Sequence, residues 1–129
     1  MLGNGMRLLS FTLDGQSSFG IGVEDGVIDL RSRTNSQDLG SCLGAVDQLR
    51  AFEDAPADHS WDAISFDIPI PNQRRLLCAG LNYHKKYPLG GEVKLPKQPV
   101  YFNKPPGSLV AHKAPLVRPV ASDQLDYEV

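Results

Sequence analysis

Three short runs rich in apolar residues near the start of the chain predict a small antiparallel β-meander. The runs cover Arg7–Leu13, Ser18–Glu24 and Val27–Leu30, and every second residue of the middle run is apolar, as in a strand with one buried face. Asp14-Gly15 and Asp25-Gly26 separate the runs. An Asp-Gly pair between two such runs is typical of a tight hairpin turn.

The hydrophobic period then changes to that of a helix. Apolar residues recur at steps of three and four, which favours one amphipathic helix; they are Leu39, Leu43, Val46, Leu49 and Phe52. Ser41 is a candidate N-cap, and Pro56 lies shortly beyond the expected end. The first part of the chain is therefore predicted to be a meander with one helix.

A second region is predicted to begin after residue 71. Leu76–Ala79 is a continuous apolar run, typical of a strand buried on both faces, and Val100–Phe102 is a second short strand. We expect a small N-terminal domain at 1–71 and a second domain at 72–129. The fold class is mainly β with some helix (α+β).

Composition argues against two classes of partner. The 129 residues contain 13 Lys and Arg against 15 Asp and Glu, a formal net charge of −2, so we expect neither nucleic acid nor an anionic membrane as partner. No apolar run approaches the roughly 20 residues of a membrane-spanning helix, and Gly3 and Asn4 interrupt any signal-peptide core. Cys42 and Cys78 form no disulfide or metal pattern. A cytoplasmic protein with reduced thiols is the expectation.

Three stretches of the second half, in order, resemble the start of the catalytic domain of the fumarylacetoacetate hydrolase family. They are Leu77–Tyr83, Val100–Val110 and Leu125–Val129. The resemblance implies a mixed β-roll, usually dimeric. It also implies a divalent cation, usually Mg²⁺ with Mn²⁺ or Ca²⁺ as alternatives, held by a Glu-any-Glu strand and a later Asp.

The resemblance further implies an enzyme that acts on a small 2-oxo or 1,3-dicarbonyl acid. Its leading activity is metal-assisted hydrolysis of a C–C bond in the catabolism of aromatic or other carbon compounds. Family isomerase, decarboxylase or lyase chemistry is the alternative. A hard cation with oxygen ligands suits these reactions, because chelating an oxo acid polarises its carbonyl and stabilises the enolate.

The family's motifs assign candidate site residues by resemblance. Glu128 matches the first Glu of the metal-binding pair, although an exposed strand carboxylate is the alternative. Asn82 and Tyr83 follow a strand and a glycine, and they are either substrate-binding or turn residues. Lys104 and Ser108 occupy a proline-stiffened loop and are substrate-binding candidates, with a structural turn as the alternative.

The candidate catalytic residues depart from the family's hydrolases. Hydrolase members commonly carry a His three residues after the Tyr of Asn-Tyr, where it activates water, and that position here is Lys86. His84 stands two residues earlier and is a catalytic candidate or a solvated loop residue. Lys86 could act as a base only after losing its proton in a dry environment. Hydrolysis is therefore less firmly implied than family membership.

The final residues match only the beginning of the metal motif. The resemblance thus implies a truncated start of the β-roll that is inactive alone, within a longer enzyme. The alternative is a non-catalytic remnant or interaction domain, whose last strand pairs with the edge of a partner.

Overall fold

The computed structural model describes residues 5–81 and 96–125, which divide into two compact units. Unit 1 contains the described residues up to Asn72 together with those from Leu109 onwards. Unit 2 contains the described residues between Gln73 and Ser108. Unit 1 contains residues from both sides of the predicted boundary at residue 71. The assignment of 1–71 and 72–129 as separate domains stays a prediction.

Unit 1 is built on a five-stranded sheet with the strand order β4-β3-β2-β1-β5. Its strands are β1 (Arg7–Leu13), β2 (Gln16–Gly22), β3 (Gly26–Asp29), β4 (His59–Ser60) and β5 (Ser65–Phe66). All neighbouring strands are antiparallel. The meander and the mainly β class with some helix are confirmed.

The first hairpin shows why an Asp-Gly pair sets the register. Leu13 pairs with Gln16 across a two-residue turn, and both turn residues have positive φ, 49° at Asp14 and 77° at Gly15. A turn with two such residues matches the right-handed twist of the flanking strands. The local sequence therefore places the strands correctly without help from distant residues.

The predicted helix is present as four consecutive short helical turns. They are α1 (Leu39–Cys42), a 3₁₀ turn (Leu43–Ala45), α2 (Val46–Leu49) and a second 3₁₀ turn (Arg50–Phe52). Within residues 5–81 and 96–125, no helix has the length and apolar character needed to cross a membrane.

The N-cap of this helical segment is Asp38, so the expected cap at Ser41 was wrong. The Asp38 carboxylate accepts a hydrogen bond from the Ser41 backbone N–H at 2.8 Å, and the Ser41 hydroxyl accepts one from the Asp38 N–H at 3.4 Å. This reciprocal capping box satisfies two backbone donors that the first turn leaves without partners. Ser41 therefore supports the cap from inside the helix.

The predicted hydrophobic stripe is only partly buried. Leu39 and Leu49 are in the core, whereas Leu43 is 51% exposed and Cys42 is only 3% exposed. Cys42 is the third residue after Leu39 within α1, so it shares the buried face of Leu39. The 3₁₀ turn that begins at Leu43 has three residues per turn instead of 3.6 and changes the direction of the side chains that follow. Cys42 occupies the inward position that the spacing predicted for Leu43.

The sheet of unit 1 buries side chains on both faces. One cluster joins the sheet to the helical segment and contains Phe19, Ile21, Ile28, Leu30, Leu39, Cys42 and Leu49. The other contains Phe11, Val27 and Ile64. Because Phe11 is opposite Ser18 in the ladder, it points away from the face of Phe19. Unit 1 thus contains a packed core of its own.

Unit 2 is a two-stranded antiparallel sheet of β6 (Leu76–Gly80) and β7 (Val100–Lys104), followed by a 3₁₀ turn (Pro106–Ser108). The two predicted strands are present, but the expected burial of β6 on both faces was wrong. Leu77 is 60% exposed, and Cys78 is half-buried. No further strand within residues 73–81 and 96–108 covers either face of this hairpin.

Candidate functional site

Only Lys104 and Ser108 of the predicted site residues lie in the described part of the chain. The other candidates fall outside residues 5–81 and 96–125; they are Asn82, Tyr83, His84, Lys86 and Glu128. Their roles in catalysis, substrate binding and metal binding stay predictions.

Lys104 is the last residue of β7 and pairs with Leu76, the first residue of β6. Its side chain is half-buried, and the residues on either side of it belong to a regular ladder and to a proline turn. A lysine at a strand end is positioned more firmly than one in an open loop. Lys104 is therefore held at a defined position at the end of β7.

Ser108 closes the turn that follows Lys104. Its backbone N–H donates to the Pro105 carbonyl at 2.9 Å, and its hydroxyl donates to the same oxygen at 2.7 Å. With its proton used in the turn, this hydroxyl retains only acceptor capacity. To donate to a substrate, Ser108 would have to give up its bond to Pro105.

The register of the hairpin separates the predicted residues into two groups. Lys104 lies beside the start of β6, whereas Leu81 follows the other end of that strand and immediately precedes Asn82. The four residue steps from Leu76 to Gly80 amount to about 13 Å, and Leu81 lies one residue beyond. β6 alone does not bring Lys104 and Leu81 together.

The end of β6 at Leu81 shows an uncommon backbone conformation. Leu81 has a φ of 52°, which is unfavourable for a bulky side chain and concentrates at functional sites in proteins. A cleft of about 380 Å³ lies here, with Gly80, Leu81, Lys97 and Tyr101 among its lining residues. This end of the hairpin leads directly into the segment predicted to bear catalytic residues.

A second cleft, of about 480 Å³, lies at the opposite end of the hairpin. Its lining residues are Arg74, Arg75, Leu76, Leu77, Asn103 and Lys104. We call this the basic cleft. Sequence reasoning found Lys104 but missed the adjacent arginines, although an Arg pair directly before an apolar strand was a visible signal.

The described residues do not supply a metal site. Within 5–81 and 96–125, no three His, Cys, Asp or Glu side chains converge in a way that could hold an ion. The predicted divalent cation therefore depends on Glu128 and on residues outside the described ranges.

Unit 1 carries an ionic network that sequence reasoning did not identify. Arg33 makes a bidentate contact with the Asp58 carboxylate. Its Nη1 donates to Oδ2, and its Nη2 donates to Oδ1 at 2.9 Å. Asp58 also accepts from the Asp29 backbone N–H at 2.7 Å. The two residues are 25 positions apart in the sequence, so no short sequence motif predicts that they form a pair.

The Arg33–Asp58 contact favours the charged form of both residues. The hydrogen bond from Arg33 is the main cause that lowers the pKa of Asp58, and the same bond raises the pKa of Arg33. The Asp29 carboxylate accepts from the Ser18 hydroxyl at 2.8 Å, and His59 Nε2 is 3.6 Å from its other oxygen. A carboxylate held ionised like Asp58 suits a structural role better than proton transfer near neutral pH.

A group of rings attaches the segment after unit 2 to the sheet of unit 1. Trp61 stacks on Phe66 with centroids 5.7 Å apart, and His112 meets Phe66 edge-on at 4.8 Å. Lys113 Nζ lies 5.7 Å from the Phe66 centroid, within the range of a cation–π interaction. We call Trp61, Phe66, His112 and Lys113 the Phe66 clasp.

Comparison with known proteins identifies a family domain in the second half of the chain. Residues 75–129 match the model of the fumarylacetoacetate (FAA) hydrolase C-terminal domain. A fumarylacetoacetate hydrolase domain-containing protein 2 homolog of Dictyostelium discoideum is 26% identical over 123 residues, which is 83% of this chain and 37% of that protein.

Two further relatives are named for an activity. A mitochondrial oxaloacetate tautomerase of Xenopus laevis is 37% identical over 65 residues, 50% of this chain and 20% of that protein. A mitochondrial oxaloacetate tautomerase of Homo sapiens is 32% identical over 71 residues, 54% of this chain and 22% of that protein. The chain thus spans at most 37% of the length of these relatives. No solved structure matches the chain significantly.

Proposed function

We propose that the whole protein is an enzyme of the fumarylacetoacetate hydrolase family, to which residues 75–129 are similar. We propose further that it interconverts the enol and keto forms of a small 2-oxo dicarboxylic acid, with oxaloacetate as the first substrate to test. One observation carries the proposal, namely the similarity to two oxaloacetate tautomerases at 37% and 32% identity. The sequence supports it further, since Lys86 stands where hydrolases of the family commonly have a His that activates water.

Tautomerisation places modest demands on a site. A proton leaves the enol oxygen, and another joins the alkene carbon next to the one that bears this oxygen. No water adds and no C–C bond breaks. The site needs an acid–base group within reach of these two atoms, and we propose His84 or Lys86 for that role. Asn82, Tyr83, Lys104 and Ser108 are the proposed contacts to the rest of the substrate.

We propose Glu128 as a ligand of a divalent cation, with Mg²⁺ first and Mn²⁺ or Ca²⁺ next. Such an ion would polarise the substrate carbonyl and favour the enolate. This part of the proposal rests on the position of Glu128 in the sequence motif.

Hydrolysis of a C–C bond was the first expectation from the resemblance, and it stays a prediction together with decarboxylation and lyase chemistry. Each of these reactions breaks a C–C bond and forms a new product. Product analysis therefore distinguishes these reactions from tautomerisation, whose product has the same molecular formula as its substrate.

The test uses the protein purified from its own cells. Fresh enol-oxaloacetate is added, the decay of its ultraviolet absorbance is followed, and the products are identified by mass spectrometry. We expect faster decay with oxaloacetate as the only final species. New acids would indicate hydrolysis or lyase chemistry, and carbon dioxide would indicate decarboxylation. Unchanged decay and no new product would favour the interaction-domain alternative.

Two pairs of variants test the proposed residues. Lys86→Ala should slow tautomerisation, whereas its neighbour control Lys85→Ala should not. Glu128→Gln should weaken Mg²⁺ or Mn²⁺ binding measured by calorimetry, with Asp126→Asn as the matched control. Unchanged metal affinity in Glu128→Gln would remove Glu128 from the proposed ligand set.

The assembly and location of the protein are also open to direct measurement. We propose a homodimer, which native mass determination tests. The sequence predicts a cytoplasmic protein, whereas two relatives carry a mitochondrial designation in their names. Cell fractionation distinguishes the two compartments.

A further inference from the structure

The cleft at the Leu81 end of the β6–β7 hairpin has the lining of a small-molecule site. We call it the Leu81 cleft. Its volume is about 380 Å³, within the range of roughly 300–1,000 Å³ that ligand pockets have. Its walls are mostly apolar side chains and glycine, and three lining residues carry polar groups, namely Lys97, Gln98 and Tyr101. Sites for small molecules combine apolar walls with a few polar groups in this way.

The strand register brings the polar groups of the Leu81 cleft to one place. Gly80 at the end of β6 pairs with Val100 at the start of β7. Lys97 and Gln98 form a bend just before β7, so they lie beside the point where the chain leaves β6. Tyr101 follows Val100 and is 65% exposed, which leaves its ring accessible to a ligand. Among the lining residues in the described part of the chain, only Lys97 is charged.

The Leu81 cleft adjoins the residues proposed to contact the substrate. Leu81 lines the cleft and is bonded to Asn82. Lys104 lies at the other end of the hairpin, four residue steps or about 13 Å from Val100 along β7. A four-carbon acid is about 6 Å long, so an acid held at the Asn82 end of the hairpin lies nearer to Lys97 than to Lys104.

We propose that Lys97 is a specificity-determining residue, whose ammonium group binds one carboxylate of a dicarboxylic substrate in the Leu81 cleft. The inference rests on the proposed function and adds a contact that selects the substrate. An ammonium group donates charge-assisted hydrogen bonds to a carboxylate, and the Gln98 amide can donate a further one. The apolar walls lower the local dielectric and strengthen the ionic contact. A monocarboxylic acid of the same length lacks the group that Lys97 binds.

The test uses the whole protein and two unreactive four-carbon probes, succinate and butyrate, at constant ionic strength. The probes differ by one carboxylate, and calorimetry measures the affinity of each. Lys97→Gln should weaken succinate binding about tenfold, through the loss of a charge-assisted hydrogen bond, and should leave butyrate binding unchanged. Lys97→Arg keeps the charge and should bind succinate nearly like the parent. The matched control Lys113→Gln removes an exposed lysine of unit 1 and should also bind like the parent.

Kinetics provide a second readout. In the tautomerase assay, Lys97→Gln should raise KM for enol-oxaloacetate about tenfold with little change in kcat, because Lys97 binds the substrate and takes no part in proton transfer. Absence of turnover in the parent would remove the tautomerase and leave the succinate result standing. Turnover with an unchanged KM in Lys97→Gln would remove the role of Lys97 and leave the tautomerase.

Three results of calorimetry would overturn the proposal. They are equal weakening of succinate binding by Lys97→Gln and Lys113→Gln, equal loss of succinate and butyrate binding in Lys97→Gln, and no saturable binding of succinate to the parent. If Lys97→Gln fails to fold by circular dichroism, amide NMR of the parent decides. Succinate should then shift the signals of Gly80 and Tyr101, and shifts confined to the opposite end of the hairpin would exclude the Leu81 cleft.

Discussion

Gly20 in β2 lies at a very close approach between neighbouring strands in unit 1. A Cβ atom built at this position would lie 2.2 Å from the carbonyl oxygen of Ile28 and 2.7 Å from Cγ2 of Val27. The first neighbour is backbone and cannot rotate away. The absence of a side chain at Gly20 is therefore a requirement of the β2–β3 ladder.

Gly20→Ala should destabilise unit 1 by about 1–3 kcal/mol or more, because overpacking forces the strands apart. Urea denaturation followed by circular dichroism measures the change in the free energy of unfolding. Gly44→Ala is the control, since a Cβ there meets nothing within 4 Å, and alanine is the better helix former. Similar stability losses in the two variants would contradict the proposed clash.

Asp58→Asn should lower stability near neutral pH by about 1 kcal/mol, a value kept small because water screens this partly exposed pair. The pKa of Asp58 is lowered in the folded state, chiefly by the hydrogen bond from Arg33. Its stabilisation is therefore complete above the ordinary carboxyl pKa and is lost as the pH falls through the lowered one.

The free energies of unfolding of Asp58→Asn and the parent chain should converge in acid, and urea titrations at several pH values measure this. Asp54→Asn, at an exposed position, is the control and should differ little at any pH. A gap between Asp58→Asn and the parent that persists in acid would mean that packing, not ionisation, explains the loss.

At the residue scale, features formed by neighbouring residues were predictable from the sequence, whereas contacts between residues far apart in the sequence were not. The hairpin turn at Asp14-Gly15 was predictable because the two residues that favour it are the two residues that form it. The Arg33–Asp58 pair depends on how a meander and a later segment fold together, and neither residue belongs to a local motif.

The helical segment shows how an element can be predicted while its buried face is not. Spacing alone assumes one uniform helix, whereas the structure changes between α and 3₁₀ geometry at Leu43 and again at Val46. Each change shifts the direction of the side chains that follow it. Cys42, three residues after Leu39 within α1, lies in the core, whereas Leu43 is exposed.

Leu49→Ala and Leu43→Ala make the same chemical change in the same segment, and they should have different effects. Leu49 is 4% exposed and Leu43 is 51% exposed. Removal of the buried side chain should cost about 2–5 kcal/mol, while the exposed position should cost well under half of that. Thermal denaturation of the two variants provides the comparison, and equal shifts in midpoint would contradict the difference in burial between Leu49 and Leu43.

The hairpin of unit 2 was predicted as two strands but with the wrong burial. A continuous apolar run such as Leu76–Ala79 indicates a strand that suits two covered faces. The described residues of unit 2 form a single layer, so Leu77 and Tyr101 remain 60% and 65% exposed. An apolar run indicates that a strand favours burial, but whether the strand is buried depends on other segments of the chain.

On the scale of the whole molecule, the two units should differ in their resistance to opening. Unit 1 has buried clusters on both faces of its sheet, whereas the described residues of unit 2, 73–81 and 96–108, form two strands with exposed apolar side chains. A two-stranded sheet is marginally stable. Amide hydrogen exchange followed by NMR should show faster exchange in β6 and β7 than in β2 and β3. Equal protection would mean that the units unfold together.

The Phe66 clasp also has a consequence for protein synthesis. Ribosomes release a chain from its N-terminus, so β1–β3 emerge long before His112 and Lys113. The meander can pair early, but Phe66 must wait for its edge-on and cationic partners until the whole of 73–108 has been translated. The order of translation thus makes the clasp a late step, and Phe66 is left partly uncovered on the nascent chain during the interval in which chaperones can reach it.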